Sequence, residues 1–305
     1  MANVFRLRKG LDINLKGKAV KKKVNCRASK VYALRPSDFT GITPKVVVKE
    51  GDRVLAGDAL FVNKQFPEVL FASPVSGTVK SVVRGERRRV LSVSVEADEK
   101  QEFRDFGAHN VNEMDGEAVK QLLLEAGLFG YINQLPYAVS THPGTSPKGI
   151  FVSALRDMPL AADFEYELEG NEEAFKTGLK ALNRIAPLHL GVGANQTADA
   201  LQNVEDVDLN VFDGPCPAGN VGVQVNHVDP VNRGEVVWTV DPTAVIFIGR
   251  LLLTGKVDLH KTIAIAGSQV NDPAYADVLV GAQLADVLDG NCQRPTMCAS
   301  STAIR

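Results

Sequence analysis

The sequence predicts a multidomain α/β protein, and three observations predict it. Up to about Glu96 the chain is rich in Val, punctuated by Gly-Asp and Ser-Gly turns, and free of helical periodicity. From Asp115 to Gly255, short apolar strands alternate with helix-period segments. Such alternation implies right-handed crossovers over a parallel sheet, a Rossmann-like arrangement. A new strand at residues 261–267 then opens a third unit. A chain of 305 residues is long enough for two or three domains, and we divide it at 1–98, 99–255 and 256–305.

Composition narrows the classes. Hydrophobic residues make up 45% and the formal net charge is −2, so a packed interior is expected and no global field attracts nucleic acid. Cys26, Cys216, Cys292 and Cys298 form no C-x-x-C pair, which excludes a zinc ribbon or a bacterial iron–sulfur run. We expect free thiols in a reducing compartment. The opening residues carry no signal-peptide core, and the longest apolar run, 244–253, is interrupted by Gly249 and Arg250. It falls short of the roughly 20 residues a membrane span needs. The chain is expected to be soluble and, at a membrane, to be held there by partners.

The basic run Lys21-Lys22-Lys23 reads as a solvated hairpin end rather than an anionic-lipid contact. After it comes a near-repeat. Val46-Val47-Val48-Lys49-Glu50-Gly51-Asp52-Arg53-Val54 leads to Gly57-Asp58-Ala59-Leu60-Phe61, and Phe71-Ala72-Ser73-Pro74-Val75-Ser76-Gly77-Thr78-Val79 follows. The pattern resembles the barrel-sandwich hybrid of biotinyl and lipoyl domains. Its Gly-Asp and Ser-Gly pairs supply turns, and its alternating Val residues fill a small two-layer core. Domains of that kind modify a Lys at a hairpin tip. Here the tip falls near Phe66-Pro67, with Lys64 off the position, so an unmodified scaffold is expected.

Residues 99–112 read as a charged connector. A helix follows with Asp115 as N-cap, Glu117 in its first turn, Val119, Leu122, Leu123 and Ala126 facing inward and Gly127 ending it. Residues 131–147, rich in Pro, Ser, Thr and Gly, read as a long loop, and 149–154 as a strand. Phe175, Leu179 and Leu182 mark a helix over 171–184. Then come a strand at 189–192, a short helix at 197–204 and a strand at 208–212. Asp241-Pro242 starts a helix that stops at Thr254-Gly255. Residues 283–288 look like the first helix of the third unit. The tail, 290–305, has no periodicity. One strand and one short helix cannot bury their own faces, so a longer natural protein, C-terminally truncated here, is expected.

A doubly wound domain raises the question of a nucleotide. The only Gly-rich candidate, Gly191-Val192-Gly193-Ala194-Asn195, lacks the third Gly, and Asp208 begins a strand instead of ending one. It reads as a strand-to-helix turn. No P-loop, H-E-x-x-H or G-x-S-x-G occurs, and no local signature groups Ser, His and Asp as a triad.

Longer motifs carry a family resemblance. Lys9-Gly10-Leu11-Asp12-Ile13-Asn14-Leu15-Lys16-Gly17, the barrel-sandwich residues, Ile150-Phe151-Val152-Ser153-Ala154 and Pro159-Leu160-Ala161-Ala162-Asp163 take part. The most specific stretch is Gly214-Pro215-Cys216-Pro217-Ala218-Gly219-Asn220-Val221-Gly222, with Asn226-His227-Val228-Asp229-Pro230-Val231 and Val237-Trp238 after it. Together they resemble the NqrA family of the sodium-translocating NADH:quinone oxidoreductases over the chain to about Asp289. Cys216 stands where the family pattern has His, so no role needing an imidazole carries over to it.

The resemblance implies a cofactor-free peripheral subunit of a complex that couples NADH oxidation and quinone reduction to sodium export. It would lie on the cytoplasmic face of a bacterial inner membrane, with the membrane and flavin-bearing subunits as partners. The same domain order is seen in the RnfC subunit of the Rnf complex and in the flavin subunit of respiratory complex I, where the middle domain carries a Gly-rich flavin and NADH loop. Here the corresponding residues, Gly130-Tyr131-Ile132-Asn133-Gln134-Leu135-Pro136-Tyr137, put bulky side chains where backbone must approach phosphate, so neither flavin nor NADH is expected to bind, and the cysteine spacing leaves no iron–sulfur cluster expected. The third unit resembles the start of an SLBB-type β-grasp module. The family further implies quinone handling, which needs an apolar groove and a donor or two. Candidates are Phe39, within 35–45, and Tyr131, Tyr137 and His142. The two tyrosines either flank a ring or cover the domain junction. His227 either contacts a partner or is a satisfied structural His. Two alternatives remain: a flavin- and NADH-binding dehydrogenase subunit, and a carrier modified on Lys64.

Overall fold

The computed structural model describes residues 2–292 apart from 14 and 16. The chain opens with β1 (Asn3–Arg6) and then builds two small sheets from β2 (Val31–Leu34), β3 (Pro44–Val46), β4 (Arg53–Val54), β5 (Ala59–Asn63), β6 (Leu70–Ala72), β7 (Gly77–Arg84) and β8 (Val90–Ala97). One sheet runs β2-β8-β7-β4 and the other β3-β5-β6. Leu34, Val54, Val79, Val93 and Val95 from the first and Leu60, Phe61 and Phe71 from the second are all buried in one core. These are the alternating positions of the near-repeat, closing a two-layer sandwich.

The α/β part comprises α1 (Gly116–Glu125), β9 (Ile132–Leu135), β10 (Val139–Ser140), β11 (Ile150–Ser153), α2 (Phe164–Leu168), α3 (Glu172–Ile185), β12 (Leu188–Gly193), α4 (Asp199–Gln202), β13 (Asp208–Asp213), α5 (Val221–Val228), β14 (Val237–Val240) and α6 (Pro242–Thr254). Its sheet runs β1-β13-β12-β11-β14-β9-β10. The strands from β1 to β14 are parallel, and β9 and β10 add an antiparallel edge. Successive residues of β11 explain the layers. Ile150 and Val152 pack into the main core with α3 and α6, whereas Phe151 points the other way, to Val225 of α5. Asp115 and Asp241 cap their helices through backbone N–H groups, and Gly255 ends α6 in the left-handed conformation.

Helices α3 and α6 approach closely because each offers a glycine. A methyl on Gly178 would overlap the Val245 carbonyl, and one on Gly249 would overlap the Ala174 carbonyl.

Several expectations are corrected. The N-terminal strand, grouped by sequence with the barrel-sandwich, pairs in parallel with β13, and Phe5 stacks on Phe212 at 5.1 Å. It covers what would be an open sheet edge. Residues 131–147 are not one loop: β9 and β10 form a hairpin there, because Ile132 is buried and β9 pairs with β14. As expected, Gly191 lies in a strand that leads through a turn toward a helix: β12 ends at Gly193, the turn follows at 194–195, and α4 comes after it. The three lysines are not a free solvated end. Lys21, Lys22 and Lys23 pair with Asp163, Asp272 and Asp277.

They do so because residues 20–24 run beside a hairpin of β15 (His260–Ile265) and β16 (Ala274–Leu279), followed by α7 (Leu284–Val287). Val24 N–H donates to the Tyr275 carbonyl at 2.8 Å, and Val24, Cys26 and Val287 cover the apolar face of the hairpin. Cys26 and Cys216 are free thiols, but Cys292 is disulfide-bonded, contrary to expectation. Residues 293–305, with Cys298 and most of the aperiodic tail, lie outside the described residues.

Candidate functional site

The sequence candidates converge on the seam between the barrel-sandwich and the mixed sheet. Pro36 opens a single 3-10 turn that ends at Asp38 and delivers Phe39 to this seam. Arg35 donates to both Asp38 carboxylate oxygens, at 3.2 and 2.9 Å, and fixes the turn. The next residues lie on the hairpin: Ser140 N–H donates to the Thr40 carbonyl at 2.8 Å. Gly41 needs its positive φ of 85°, and a side chain there would run into Val139. Tyr131 arrives from the other side, at the end of a 3-10 turn, Phe129–Tyr131, that feeds β9.

Phe39 and Tyr131 meet edge to face, with ring centroids 5.4 Å apart. Phe39 also packs on Phe71 at 4.4 Å, Phe71 stacks on Phe61 at 4.8 Å, and Tyr131 meets Phe247 of α6 at 5.9 Å. This aromatic wall joins both domains into one core. The Tyr131 phenol makes no hydrogen bond to the described residues, and burial, reinforced by the Asp38 carboxylate, holds its pKa well above the ordinary phenol value. It is therefore a permanent O–H donor at neutral pH.

His142 sits beyond the hairpin. Its Nδ1 accepts from Gly144 N–H at 2.8 Å, which leaves the proton on Nε2. Its ring lies 3.9 Å from that of Phe66. Phe66 occupies the turn between β5 and β6, the tip where carrier domains place a modified Lys. Lys64 is exposed beside it, and its N–H donates to the Thr43 carbonyl at 2.7 Å. Tyr137 does not join the group: it stands 80% exposed at the far end of the β9–β10 hairpin. His227 is exposed on α5, with Nδ1 2.8 Å from the Val223 carbonyl and its ring edge-on to Phe5.

Sequence reasoning missed two buried hydroxyls beside this seam. Ser140 Oγ and Thr141 Oγ1 have no hydrogen-bond partner among the described residues. A buried orphan polar group costs about 1–3 kcal/mol, so such groups call for a ligand or a water. The only sequence signal was their place next to His142.

A second arrangement lies at the carboxyl ends of β11 and β14, the kind of crevice where parallel α/β sheets bind ligands. Here it holds the chain's own ion pairs. Arg156 donates to Glu167 at 2.6 Å, to Thr243 Oγ1 at 2.7 Å and to Asp241 at 3.3 Å. Thr243 Oγ1 also donates to the buried Glu167 at 2.7 Å. The glycines that suggested a nucleotide loop answer to packing. A methyl on Gly191 would overlap Gln224 Oε1, one on Gly193 would meet Leu155, and one on Gly130 would lie 2.5 Å from the Phe71 ring. Among the described residues no group of three His, Cys, Asp or Glu is placed to hold a metal, and no helix is long and apolar enough to cross a membrane.

The two most specific sequence motifs meet at the neighbouring end of β13. Leu11 N–H donates to the Cys216 carbonyl, and Cys216 N–H donates to Asp12, each at 2.9 Å. Gly219 N–H donates to Asp157 at 2.8 Å, and Ser153 Oγ to the Gly219 carbonyl at 2.9 Å. The loop is thus held between the opening segment and the end of β11.

These features define a class: a barrel-sandwich domain fused through an aromatic seam to an α/β domain whose ligand crevice is occupied by its own ion pairs. Comparison with known proteins specifies it. Residues 5–98 match the NqrA N-terminal barrel-sandwich hybrid domain, and residues 114–257 match the NqrA second alpha/beta domain. The chain belongs to the NqrA family. It is 36% identical over 291 residues to the NqrA subunit of the Na(+)-translocating NADH-quinone reductase of Yersinia pestis, 34% over 294 residues to that of Pseudomonas aeruginosa and 32% over 290 residues to that of Neisseria meningitidis. These alignments cover 94–95% of this chain, and the chain spans 65% of the length of those relatives.

Proposed function

We propose that this chain acts as the NqrA component of a sodium-translocating NADH:quinone reductase, peripheral on the cytoplasmic face of a bacterial inner membrane. In this reading its partners are the membrane-embedded and flavin-bearing subunits, and it carries no flavin or iron–sulfur cluster of its own. The middle domain is read as Rossmann-like and the C-terminal hairpin as the beginning of an SLBB-like module. The single observation that carries the proposal is sequence identity of 32–36% over 94–95% of the chain to proteins bearing that name. The Arg156–Glu167–Asp241–Thr243 network supports the cofactor-free reading, because a dinucleotide in that crevice would have to displace it.

Within the complex, the aromatic seam handles quinone. Phe39 and Tyr131 supply the apolar wall, the Tyr131 hydroxyl donates to a quinone carbonyl, and His142 Nε2–H is the second donor. Tyr137, on the exposed hairpin tip, is in this reading an outer contact and not part of the wall.

The chain's single tryptophan, Trp238, meets Phe129 at 5.6 Å and so reports on this region. Titration with a short-chain ubiquinone is expected to quench Trp238 fluorescence saturably. Tyr131→Phe should weaken the apparent affinity roughly fivefold, the worth of one hydrogen bond. Non-saturable quenching, or equal affinity in Tyr131→Phe and Phe39→Ala, would refute the site. A visible flavin band in the purified chain would refute the cofactor-free reading. Co-purification of the membrane and flavin subunits with the tagged protein tests the assembly.

A further inference from the structure

The hairpin that joins β7 to β8 ends in Arg84-Gly85-Glu86-Arg87-Arg88-Arg89, and all four arginines are exposed. None of them pairs with an acidic side chain among the described residues. Arg84 Nη1 donates to the Arg88 carbonyl at 3.4 Å, a bond that stays inside the tip. The carboxylates nearby do not balance these charges. Glu86 stands on the tip itself, Glu50 accepts from Val82 N–H at 2.9 Å, and Asp38, in the turn after β2, is already paired with Arg35 at 2.9 Å. Four positive charges stand beside two unmatched negative ones, so the tip is net positive.

The backbone of the tip is unusual for this sequence. Arg89 N–H donates to the Glu86 carbonyl at 3.1 Å, and the two residues between them, Arg87 and Arg88, have φ of 54° and 60°. That is a type I′ turn, whose central positions favour Asn and Gly. Two arginines thus hold a conformation that smaller residues would hold more easily. The pairing slips by one residue between Val83–Ser92 and Arg84–Val90, which makes Leu91 the extra residue of a β-bulge. Leu91 is exposed and lies over Gly85, where a methyl would be 3.1 Å from its Cδ1. Val83, on the opposite strand, is exposed as well.

We propose that this tip contacts an anionic phospholipid surface, and that the chain makes the contact itself, beside whatever its partner subunits hold. Guanidinium groups pair with phosphate through two parallel hydrogen bonds. Four of them on one protruding turn reach several separate phosphates, which a lipid surface offers and a single small anion does not. The flanking aliphatic groups decide between polyanions. Val83 and Leu91 match the boundary between headgroups and acyl chains, whereas a nucleic acid backbone or an acidic peptide offers them no apolar partner. Among the described residues no helix is long and apolar enough to cross a membrane, so the contact is electrostatic with shallow insertion.

The test is co-sedimentation of the full chain with phosphatidylcholine vesicles, with and without phosphatidylglycerol. Binding should need phosphatidylglycerol and should weaken as NaCl rises. Arg87→Asn with Arg88→Gly removes two charges while installing the residues this turn prefers, so the fold is retained, which an unchanged or higher Tm checks. At about fivefold per arginine, the pair should weaken vesicle affinity about 25-fold. Leu91→Ser should weaken it as well, and inorganic phosphate at matched ionic strength should not release the chain. No binding to phosphatidylglycerol vesicles, or full binding by the double variant, would overturn the proposal. Release by inorganic phosphate would reduce the tip to a site for free anions and overturn it too. Equal binding of parent and Leu91→Ser to polyglutamate and to vesicles would make the tip a general polyanion contact and reject the lipid assignment.

Discussion

Arg156→Met probes the ion-pair network in the sheet crevice. Glu167 is 2% exposed and Arg156 21%, so this is a largely buried pair, not a surface one. Removing the guanidinium leaves the Glu167 carboxylate with the Thr243 hydroxyl alone, and breaking a buried pair from one side costs about 3–5 kcal/mol. Asp241 loses the same partner, but it is half exposed and water compensates it. For a domain of this size each kcal/mol moves Tm by about 2–4 °C, so a fall of roughly 10 °C is expected in calorimetry. The partner experiment decides the reasoning. Arg156→Met with Glu167→Leu replaces the pair by apolar groups of similar volume and should recover most of the loss. If Arg156→Met alone stays within about 1 kcal/mol of the parent, or if the double variant is no better than the single, the carboxylate is not held by this pair and the argument fails.

Two further outcomes follow from packing and titration. Gly249→Ala separates propensity from geometry, since helix propensity alone predicts a gain of about 1 kcal/mol. The close crossing of α3 and α6 puts the new methyl on the Ala174 carbonyl, and overpacking costs about 1–3 kcal/mol, so a Tm lower by a few degrees is expected and a higher one would refute the crossing. Asp98 has a pKa held below the usual carboxylate value, chiefly by the Arg53 hydrogen bond, with the Ser76 hydroxyl adding. Its contribution is present above the unfolded Asp pKa and is lost as pH falls through the lower folded value. Asp98→Asn should therefore lose less Tm than the parent between pH 6 and pH 3, and parallel losses would contradict the assignment.

What the sequence revealed was local. Asp115 and Asp241 as caps, Gly127 and Gly255 as stops, and the Val alternation of the sandwich act within a few residues, and each appears where its pattern put it. What it hid was non-local or weakly apolar. β1 pairs with a strand more than 200 residues away, and nothing near Asn3–Arg6 signals that partner. The β9–β10 hairpin hides behind Pro, Ser and Thr because it is a sheet edge that buries little beyond Ile132. The site shows the same division. Phe39 and Tyr131 carry the right chemistry in the sequence, but their 5.4 Å contact exists only because the sandwich docks on the sheet. The same docking leaves Tyr137 outside, on the hairpin tip.

The departure at Cys216 shows what such a motif encodes. Its contacts with the opening segment run through its own N–H and carbonyl, to Asp12 and Leu11. A methyl on Gly10 would overlap the Cys216 carbonyl, so the two motifs constrain each other through main chain. The Cys216 thiol reaches Met158 sulfur at 3.9 Å, and desolvation, together with nearby Asp157 and Asp12, raises its pKa, so it is neither a strong donor nor an activated thiolate. The Cys216 side chain is therefore not what ties this loop to the opening segment. The motif records how the N-terminal segment is clamped onto the end of β13, and that clamp sets the register by which β1 completes the sheet.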